Sequence, residues 1–456
     1  MHNGVSRTTV LFVASLASFL TPFMGASINI ALPSIGAEFA SDAVLLSWVP
    51  TAYLLSSAIF IVPFGRLADI HGKVKIFSWG IVVYTLGSLL SALAPSVLML
   101  IGVRLLQGVG AAMIYGTGVA LITTAFPAEE RGKALGINVA AVYLGLSLGP
   151  FIGGALTQTW GWRSILLANV LCGAVIIFFV ATRLKSDRHD NHEPFDATGS
   201  VIYGGMLLCL MYGFSILPAS MGFLLIAAGI AGFFAFMEWE KRIEHPVLDI
   251  RLFTKNRVFA FSNLAALINY SATFAIAFLI SLYLQYIKGF DPLTAGLVLI
   301  AQPVMQTIVS PPAGRLSDRI EPSVIASAGM AVCSVALLLF ATLDADSALA
   351  FIIATEMLVG VGFALFSSPN TNAVMSAVAP RQYGVASGTL ASMRLIGMMF
   401  SMGLVMLLFS LLIGRVEITP EFYPAFLISM KAAFVLFAVL CGIGTVTSYQ
   451  RGKVRQ

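Results

Sequence analysis

The sequence predicts an all-α integral membrane protein built as two six-helix bundles with a pair of helices inserted between them. Three observations predict it. The chain has 456 residues, of which 58% are hydrophobic and 10% charged, and its mean hydropathy is +0.93. Those values exclude a soluble globular chain and a disordered one. The chain also divides into fourteen apolar runs, each near the roughly 20 residues a helix needs to span a bilayer. Finally, residues 104–136 return at 356–388. Without a gap, Leu106, Gly108, Val109, Gly110, Ala112, Ala125, Gly132, Ala134 and Gly136 fall on Leu358, Gly360, Val361, Gly362, Ala364, Ala377, Gly384, Ala386 and Gly388. Period-2 alternation, the mark of a membrane β-barrel, is absent.

The apolar cores run over 9–31, 44–63, 76–94, 97–124, 135–157, 164–182, 198–216, 219–237, 259–283, 294–312, 323–342, 349–374, 386–412 and 425–447. The first keeps its apolar character past Ala31 and reads as a retained helix rather than a signal peptide. The repeat pairs the first six spans with the last six, and the seventh and eighth have no counterpart. This divides the chain into an N-terminal bundle (1–186), a linker with the two inserted spans (187–256) and a C-terminal bundle (257–456). Halves repeated in the same order imply two parallel bundles about an axis along the membrane normal.

Net charge is +5, and its placement speaks of orientation rather than nucleic acid. With the N-terminus inside, twenty Lys and Arg residues fall in cytoplasmic segments, among them Arg66, Lys73, Arg131, Lys185, Arg188, Arg315, Arg381, Arg451, Lys453 and Arg455. Only Arg163, Lys288 and Arg415 fall on the other side. That asymmetry predicts a multi-pass protein of the cell membrane with both termini cytoplasmic. Cys172, Cys209, Cys333 and Cys441 sit singly in apolar spans and read as packing residues. His189 and His192, with Asp187, Asp190 and Glu193, have metal-binding chemistry, but their polar stretch reads as a solvated linker because no rigid element fixes ligands there. His2, His71 and His245 are also in polar segments, so a histidine proton relay through the membrane is excluded. Neither cofactor nor metal is expected.

Between spans 2 and 3 stands Gly65-Arg-Leu-Ala-Asp69-Ile-His-Gly72-Lys73-Val-Lys75, echoed as Gly314-Arg-Leu-Ser-Asp318. Gly65 and Gly72 permit a tight turn, Asp69 can face a helix N-terminus, and the lysines hold the loop inside. This segment resembles the signature loop of the major facilitator superfamily. The resemblance implies a conformational switch at Gly65, Asp69, Gly72 and Lys73, latching the two halves of a major facilitator-like fold. Arg104-Leu-Leu-Gln107-Gly108-Val-Gly110 in span 4 is similar to a second motif of that family, whose arginine is implicated in proton transfer. An arginine at the centre of a spanning helix costs about 2.5–3.5 kcal/mol on insertion scales. Arg104 therefore needs a wet cavity, backbone acceptors or an acid.

Gly145, Gly149-Pro150 and Gly153-Gly154 in span 5 are similar to the glycine–proline pattern of the family's antiporters. Gly145, Gly149 and Gly153 recur every four residues and offer a flat face for close helix approach, and Pro150 bends the helix. A sliding seam between bundles and plain packing both fit such a face. Fourteen spans, the Phe195-Asp196-Ala-Thr-Gly199 entry to span 7 and the Trp239-Glu240…His245-Pro246 exit from span 8 resemble the fourteen-span drug–proton antiporter branch. That branch usually carries an acid in span 1 ahead of an Ala-Leu-Pro. Here Ala31-Leu32-Pro33 is present and Met24 stands at the acid's place.

The carboxylate well inside an apolar run is Glu356, which the repeat places opposite Arg104. An isolated ionised carboxylate there is costly, so burial favours its proton-bound form. The resemblance implies that spans 1, 4, 9 and 12 line a central cavity, where Glu356 and Arg104 could face one another and couple protons to substrate. A satisfied structural carboxylate is the competing reading. Arg394 and Lys431 lie nearer span ends and can snorkel to an interface. Met24, Asn29, Gln107, Tyr115, Asn269, Tyr270 and Asn370 are candidate cavity residues, as able to join helices as to touch substrate.

No Gly-x-x-x-x-Gly-Lys-Ser/Thr loop is present to hold a nucleotide. An intramembrane enzyme would need a nucleophile with its base, or metal ligands, at bilayer depth, and a channel would need charged rings or a filter. The expectation is a secondary transporter, acting as a monomer in the lipid bilayer on a small-molecule substrate and protons. It exports amphipathic or lipophilic molecules by alternating access. The alternative is a specific metabolite exporter or facilitator without obligatory proton coupling.

Overall fold

The computed structural model describes residues 7–184, 194–243, 246–248, 250–379 and 382–452, apart from the side chains of Ala128, Glu129 and Arg251. The His189/His192 stretch, His2, His245, Lys185, Arg188, Arg381, Lys453 and Arg455 lie outside the described residues. Fourteen stretches are long and apolar enough to cross a membrane. The first six are α1 (Arg7–Phe39), α2 (Ala43–His71), α3 (Lys73–Ala92), α4 (Val97–Ala125), α5 (Ala128–Trp160) and α6 (Arg163–Arg183). The inserted pair is α7 (Ala197–Ile216) and α8 (Ser220–Arg242), followed by the short α9 (Ile250–Lys255). Polar side chains start several helices by taking orphan backbone donors: Asp42 accepts from Leu45 N at 2.8 Å and Asn256 from Phe259 N at 3.0 Å.

Two spans expected to be continuous are broken. The ninth consists of α10 (Arg257–Thr273), α11 (Ile276–Leu282) and a π-helical turn, Tyr283–Ile287. At the first break Ser401 Oγ accepts from Ala275 N at 3.0 Å, which satisfies a freed donor inside the bilayer. The tenth divides at Ile300 into α12 (Pro292–Leu299) and α13 (Ala301–Ser317). Pro303 has no N–H to give the Leu299 carbonyl, and that weakens the helix there. The remaining spans are α14 (Pro322–Phe340), α15 (Leu349–Ser376), α16 (Tyr383–Leu412) and α17 (Tyr423–Tyr449).

The repeat is written in the packing. A Cβ on Gly108 would lie 2.4 Å from Tyr53 O and 2.8 Å from Ser56 Cβ, and one on Gly360 would lie 2.3 Å from Gln302 O and 2.9 Å from Met305 Cβ. Gly110 is pressed against Gly80 and Tyr84, and Gly362 against Gly329 and Cys333. Tyr53, Ser56, Gly80 and Tyr84 each stand 249 residues before Gln302, Met305, Gly329 and Cys333, the offset of the Gly-Arg-Leu loop. In both halves, then, a long helix (α4 or α15) is clasped by the two preceding it. Only glycine allows backbones this close.

The bundles meet along two lines: α5 with α12 on one side, α2 with α16 on the other. On the first, Gly154 abuts Pro292 O and Gly296 abuts Pro150 O, with room for no side chain. Several hydrogen bonds tie the halves at the end away from Gly72. Ser281 Oγ donates to Asn29 O at 2.8 Å, Gln285 Nε2 to Ile30 O at 3.0 Å, Ala43 N to Val416 O at 3.0 Å and Leu293 N to Gln158 Oε1 at 3.3 Å. The inserted hairpin leans on the second line. Tyr203 donates to Ala58 O of α2 at 3.0 Å, and Ser410 of α16 bonds Leu217 O. Its foot is tied as well. Trp239 Nε1 donates to both Asp196 oxygens at 3.2 Å, and Glu240 Oε2 accepts from Leu248 N at 3.0 Å.

Candidate functional site

Arg104 is fully buried on α4. Its Nε donates to Val49 O at 3.3 Å, Nη1 donates to Gln107 Oε1 at 2.6 Å, and the guanidinium lies 4.7 Å from the centre of the Tyr53 ring. Gln107 Nε2 passes the chain on to Ser88 Oγ at 2.7 Å, which also accepts from Asn169 Nδ2 at 2.7 Å. Backbone acceptors and a polar network thus meet the cost of this cation in the membrane. Gln107, expected on a cavity wall, instead points into the N-terminal bundle. Nη2 of Arg104 is buried without a partner.

Glu356 holds the equivalent position on α15 and is also fully buried. Its surroundings are the opposite: neither carboxylate oxygen has a hydrogen-bond partner. Val359 stands where the repeat has Gln107, so the side chain that anchors Arg104 has no counterpart here. Arg104 and Glu356 do not meet; the partners of Arg104 are a carbonyl, an amide and a ring. The face-to-face pairing expected from sequence is corrected in this conformation. Asn269 of α10 is likewise fully buried, with both amide atoms unpaired.

Other candidates separate by environment. Met24 is fully buried in the main apolar core. Asn29 belongs to the inter-bundle tie through its carbonyl, and Tyr115 is half-buried on α4. Asn370 is engaged elsewhere. Its Oδ1 accepts from Arg451 Nη1 at 2.8 Å, and its Nδ2 donates to Ser262 O at 3.1 Å. Arg451 Nη2 also donates to Pro322 O at 2.7 Å, so this fully buried arginine, just past α17, knots the first half of α10, the start of α14 and the last turns of α15. In the sequence Arg451 reads as an orienting charge, and no local pattern distinguishes it from its neighbours. Tyr270 stacks edge-to-face on Phe363, centroids 5.2 Å apart, and lies beneath Arg394. Arg394 does not snorkel: Nη2 donates to Thr371 Oγ1 at 2.6 Å. Lys431 pairs with Asp344.

The loop and glycine motifs are also refined. Gly65 is inside α2, not at a turn; its bare backbone lies against Gly116 of α4. The turn is Gly72 alone, at φ 98°, and Asp69 forms an ion pair with Lys73 at 3.7 Å. Gly145, Gly149 and Gly153 face α1 of their own bundle, against Phe19, Ala26 and Ser27. They are not the inter-bundle seam; of this motif, Gly154 and the Pro150 carbonyl are.

A duplicated helical body with fourteen candidate spans and buried charges at equivalent positions of its halves is the architecture of a membrane transport protein. The sequence profile of the Major Facilitator Superfamily matches residues 14–250 and 263–453, and the chain belongs to that family. It is 30% identical over 438 residues to the riboflavin transporter RibZ of Clostridioides difficile, covering 96% of both chains. It is 31% identical over 398 residues to the multidrug resistance protein Stp of Mycobacterium tuberculosis, covering 86% of this chain and 74% of that protein. With the cephamycin export protein CmcT of Amycolatopsis lactamdurans it shares 32% identity over 413 residues, 88% of this chain and 85% of the other. In fold it is similar to a bacterial homolog of the human lysosomal transporter Spinster. That match has a TM-score of 0.70 and 17% identity, covering 98% of this chain and 96% of the other.

Proposed function

We propose that this transporter exports amphipathic or lipophilic small molecules in exchange for protons, with Glu356 as the proton-binding group. The observation that carries this reading is the bare carboxyl of Glu356, fully buried and without a single donor. An ionised carboxylate left so would cost several kcal/mol; a bound proton removes the charge. A conformation that brings water or a cationic group to Glu356 releases that proton, and so links protonation to the swing of the halves. One proton crossing 100 mV supplies about 2.3 kcal/mol, and one pH unit adds about 1.4. Together they sustain a several-hundredfold gradient of a neutral substrate.

Relatives named for multidrug resistance and cephamycin export support the export reading. A second reading, a dedicated metabolite carrier without obligatory coupling, is favoured by Met24 at the missing acid's place and by the relative named a riboflavin transporter. In both readings the chain works as a monomer in the cell membrane with its termini cytoplasmic. In the coupled reading Arg104 contributes a fixed positive charge held inside the N-terminal bundle. Proteoliposomes separate the two. An imposed pH gradient accelerates dye transport by the wild type, and Glu356→Gln abolishes that acceleration while dye binding remains measurable. Equal rates with and without the gradient select the uncoupled carrier; wild-type coupling in Glu356→Gln removes Glu356 from the mechanism.

A further inference from the structure

Arg394 lies eleven residues into α16, about 17 Å along the helix at 1.5 Å per residue, and its Nη2 is bound to Thr371 of α15 rather than turned toward a helix end. It shares one face of α16 with Ala391 and Met398, three residues before and four after, and all three are half-buried. Gly397 beside them is pressed onto α10 at Leu267 O and Tyr270. Arg394 therefore stands where α16, α10 and α15 converge, reachable in a way that the sealed Arg104 is not.

Its geometry is that of a guanidinium held ready. Thr371 Oγ1 has already given its proton to Ser367 O at 2.8 Å, so toward Arg394 Nη2 it serves as an acceptor, at 2.6 Å. The guanidinium carbon lies 5.7 Å from the centre of the Tyr270 ring, and Phe363 braces that ring from the side at an interplanar angle of 84°. Nε is buried and unpaired. Among the described residues no carboxylate is paired with Arg394, whereas Arg163 has Glu38 and Lys431 has Asp344. A cation at this depth, held by a neutral hydroxyl and an aromatic face, keeps most of its five donors for another acceptor.

We propose that Arg394, positioned by Thr371 and Tyr270, binds an anionic group of the transported molecule, a carboxylate or its equivalent carried on a planar apolar ring. The anion takes the free guanidinium donors, and the ring lies against the half-buried Phe363 and Met398. This rests on reading the chain as a small-molecule carrier and is independent of proton coupling. It specifies amphipathic anions and zwitterions over simple lipophilic cations.

The test uses three probes with the same ring: 2-naphthoate, 2-naphthamide and 2-naphthylmethylammonium. Each is titrated into the purified full-length protein in nanodiscs without any gradient, so a failure of proton coupling does not touch the result. The wild type binds the carboxylate about tenfold to a hundredfold more tightly than the amide, the range for hydrogen bonds to a charged group, and binds the ammonium more weakly still. Arg394→Gln brings the carboxylate down to the amide. Thr371→Val removes the clip and keeps the charge, so the anion preference falls but survives, between the wild type and Arg394→Gln. A flat order in the wild type, no binding of the carboxylate, or an undiminished preference in Arg394→Gln overturns the proposal. So does loss of preference in Thr371→Val equal to that in Arg394→Gln, which marks a mere helix clip. The wild-type order alone decides if Arg394→Gln does not fold.

Discussion

Arg104 and Glu356 occupy matching places in the two halves, yet one is enclosed by partners and the other has none. Part of the difference lies three residues on, Gln107 in one half and Val359 in the other, and part in Tyr53, whose ring lies by Arg104 and whose counterpart is Gln302. Both charges are visible in the sequence because each interrupts an apolar run. Their surroundings are not, because a span that is apolar all round has no periodic face to show which way a residue points. For the same reason Asn370 reads as a cavity residue and Arg451 as a surface charge, although they form one knot. Arg451→Ala removes three hydrogen bonds from a fully buried cluster. Thermal unfolding in detergent should register a loss of about 3 kcal/mol, while the pH-gradient response of the folded fraction stays intact. Asp291 offers a pH-dependent counterpart. It accepts from Thr294 N at 2.9 Å and Thr294 Oγ1 at 2.8 Å at the start of α12, and these bonds hold its carboxyl below the usual range. A depressed folded-state value means that its contribution is complete above about pH 4, the unfolded value, and lost as pH falls through the folded one. Asp291→Asn should flatten that acid limb of the unfolding-midpoint profile.

At the scale of elements, length and hydropathy locate the spans, and their interruptions follow weaker signals. Pro303 explains the division of the tenth span. The break after Thr273 has neither proline nor glycine at it and depends on Ser401 from a distant helix, which no local pattern contains. The glycines of α5 were legible as a close-approach surface, but not their addressee. Four of the motif's residues serve two purposes, since Gly145, Gly149 and Gly153 seat α1, and Gly154 seats α12. The two uses predict different variants. Gly149→Ala drives a Cβ to 2.7 Å from Ala26 Cβ within one bundle and should cost about 1–3 kcal/mol of stability, with little effect on access. Gly296→Ala brings a Cβ to 2.2 Å from Pro150 O across the seam. It should part α5 from α12, and a cysteine placed at Gln285 should then be alkylated faster by a membrane-impermeant maleimide. Unchanged labelling would show that this line does not gate access.

At the scale of the whole molecule, the described inter-bundle hydrogen bonds gather toward the end away from Gly72, and the inserted hairpin braces α2 and α16 from outside. The twofold plan was readable from two internal matches, residues 104–136 with 356–388 and Gly65–Asp69 with Gly314–Asp318. The role of α7 and α8 as a brace was not, because an unrepeated pair leaves no internal copy for comparison. If halves that part at this end are needed for turnover, joining them stops it. Asn29→Cys with Ser281→Cys should lose transport under oxidant and regain it with reductant; transport that persists in the cross-linked protein would exclude opening there. Asn29 and Ile30 enter that tie through their main-chain carbonyls, which accept from Ser281 and Gln285. A bond taken by a carbonyl is indifferent to the side chain beside it, so this end of the N-terminal half can drift in sequence at 29 and 30 and stay fastened, whereas its partner at 281 must keep a donor.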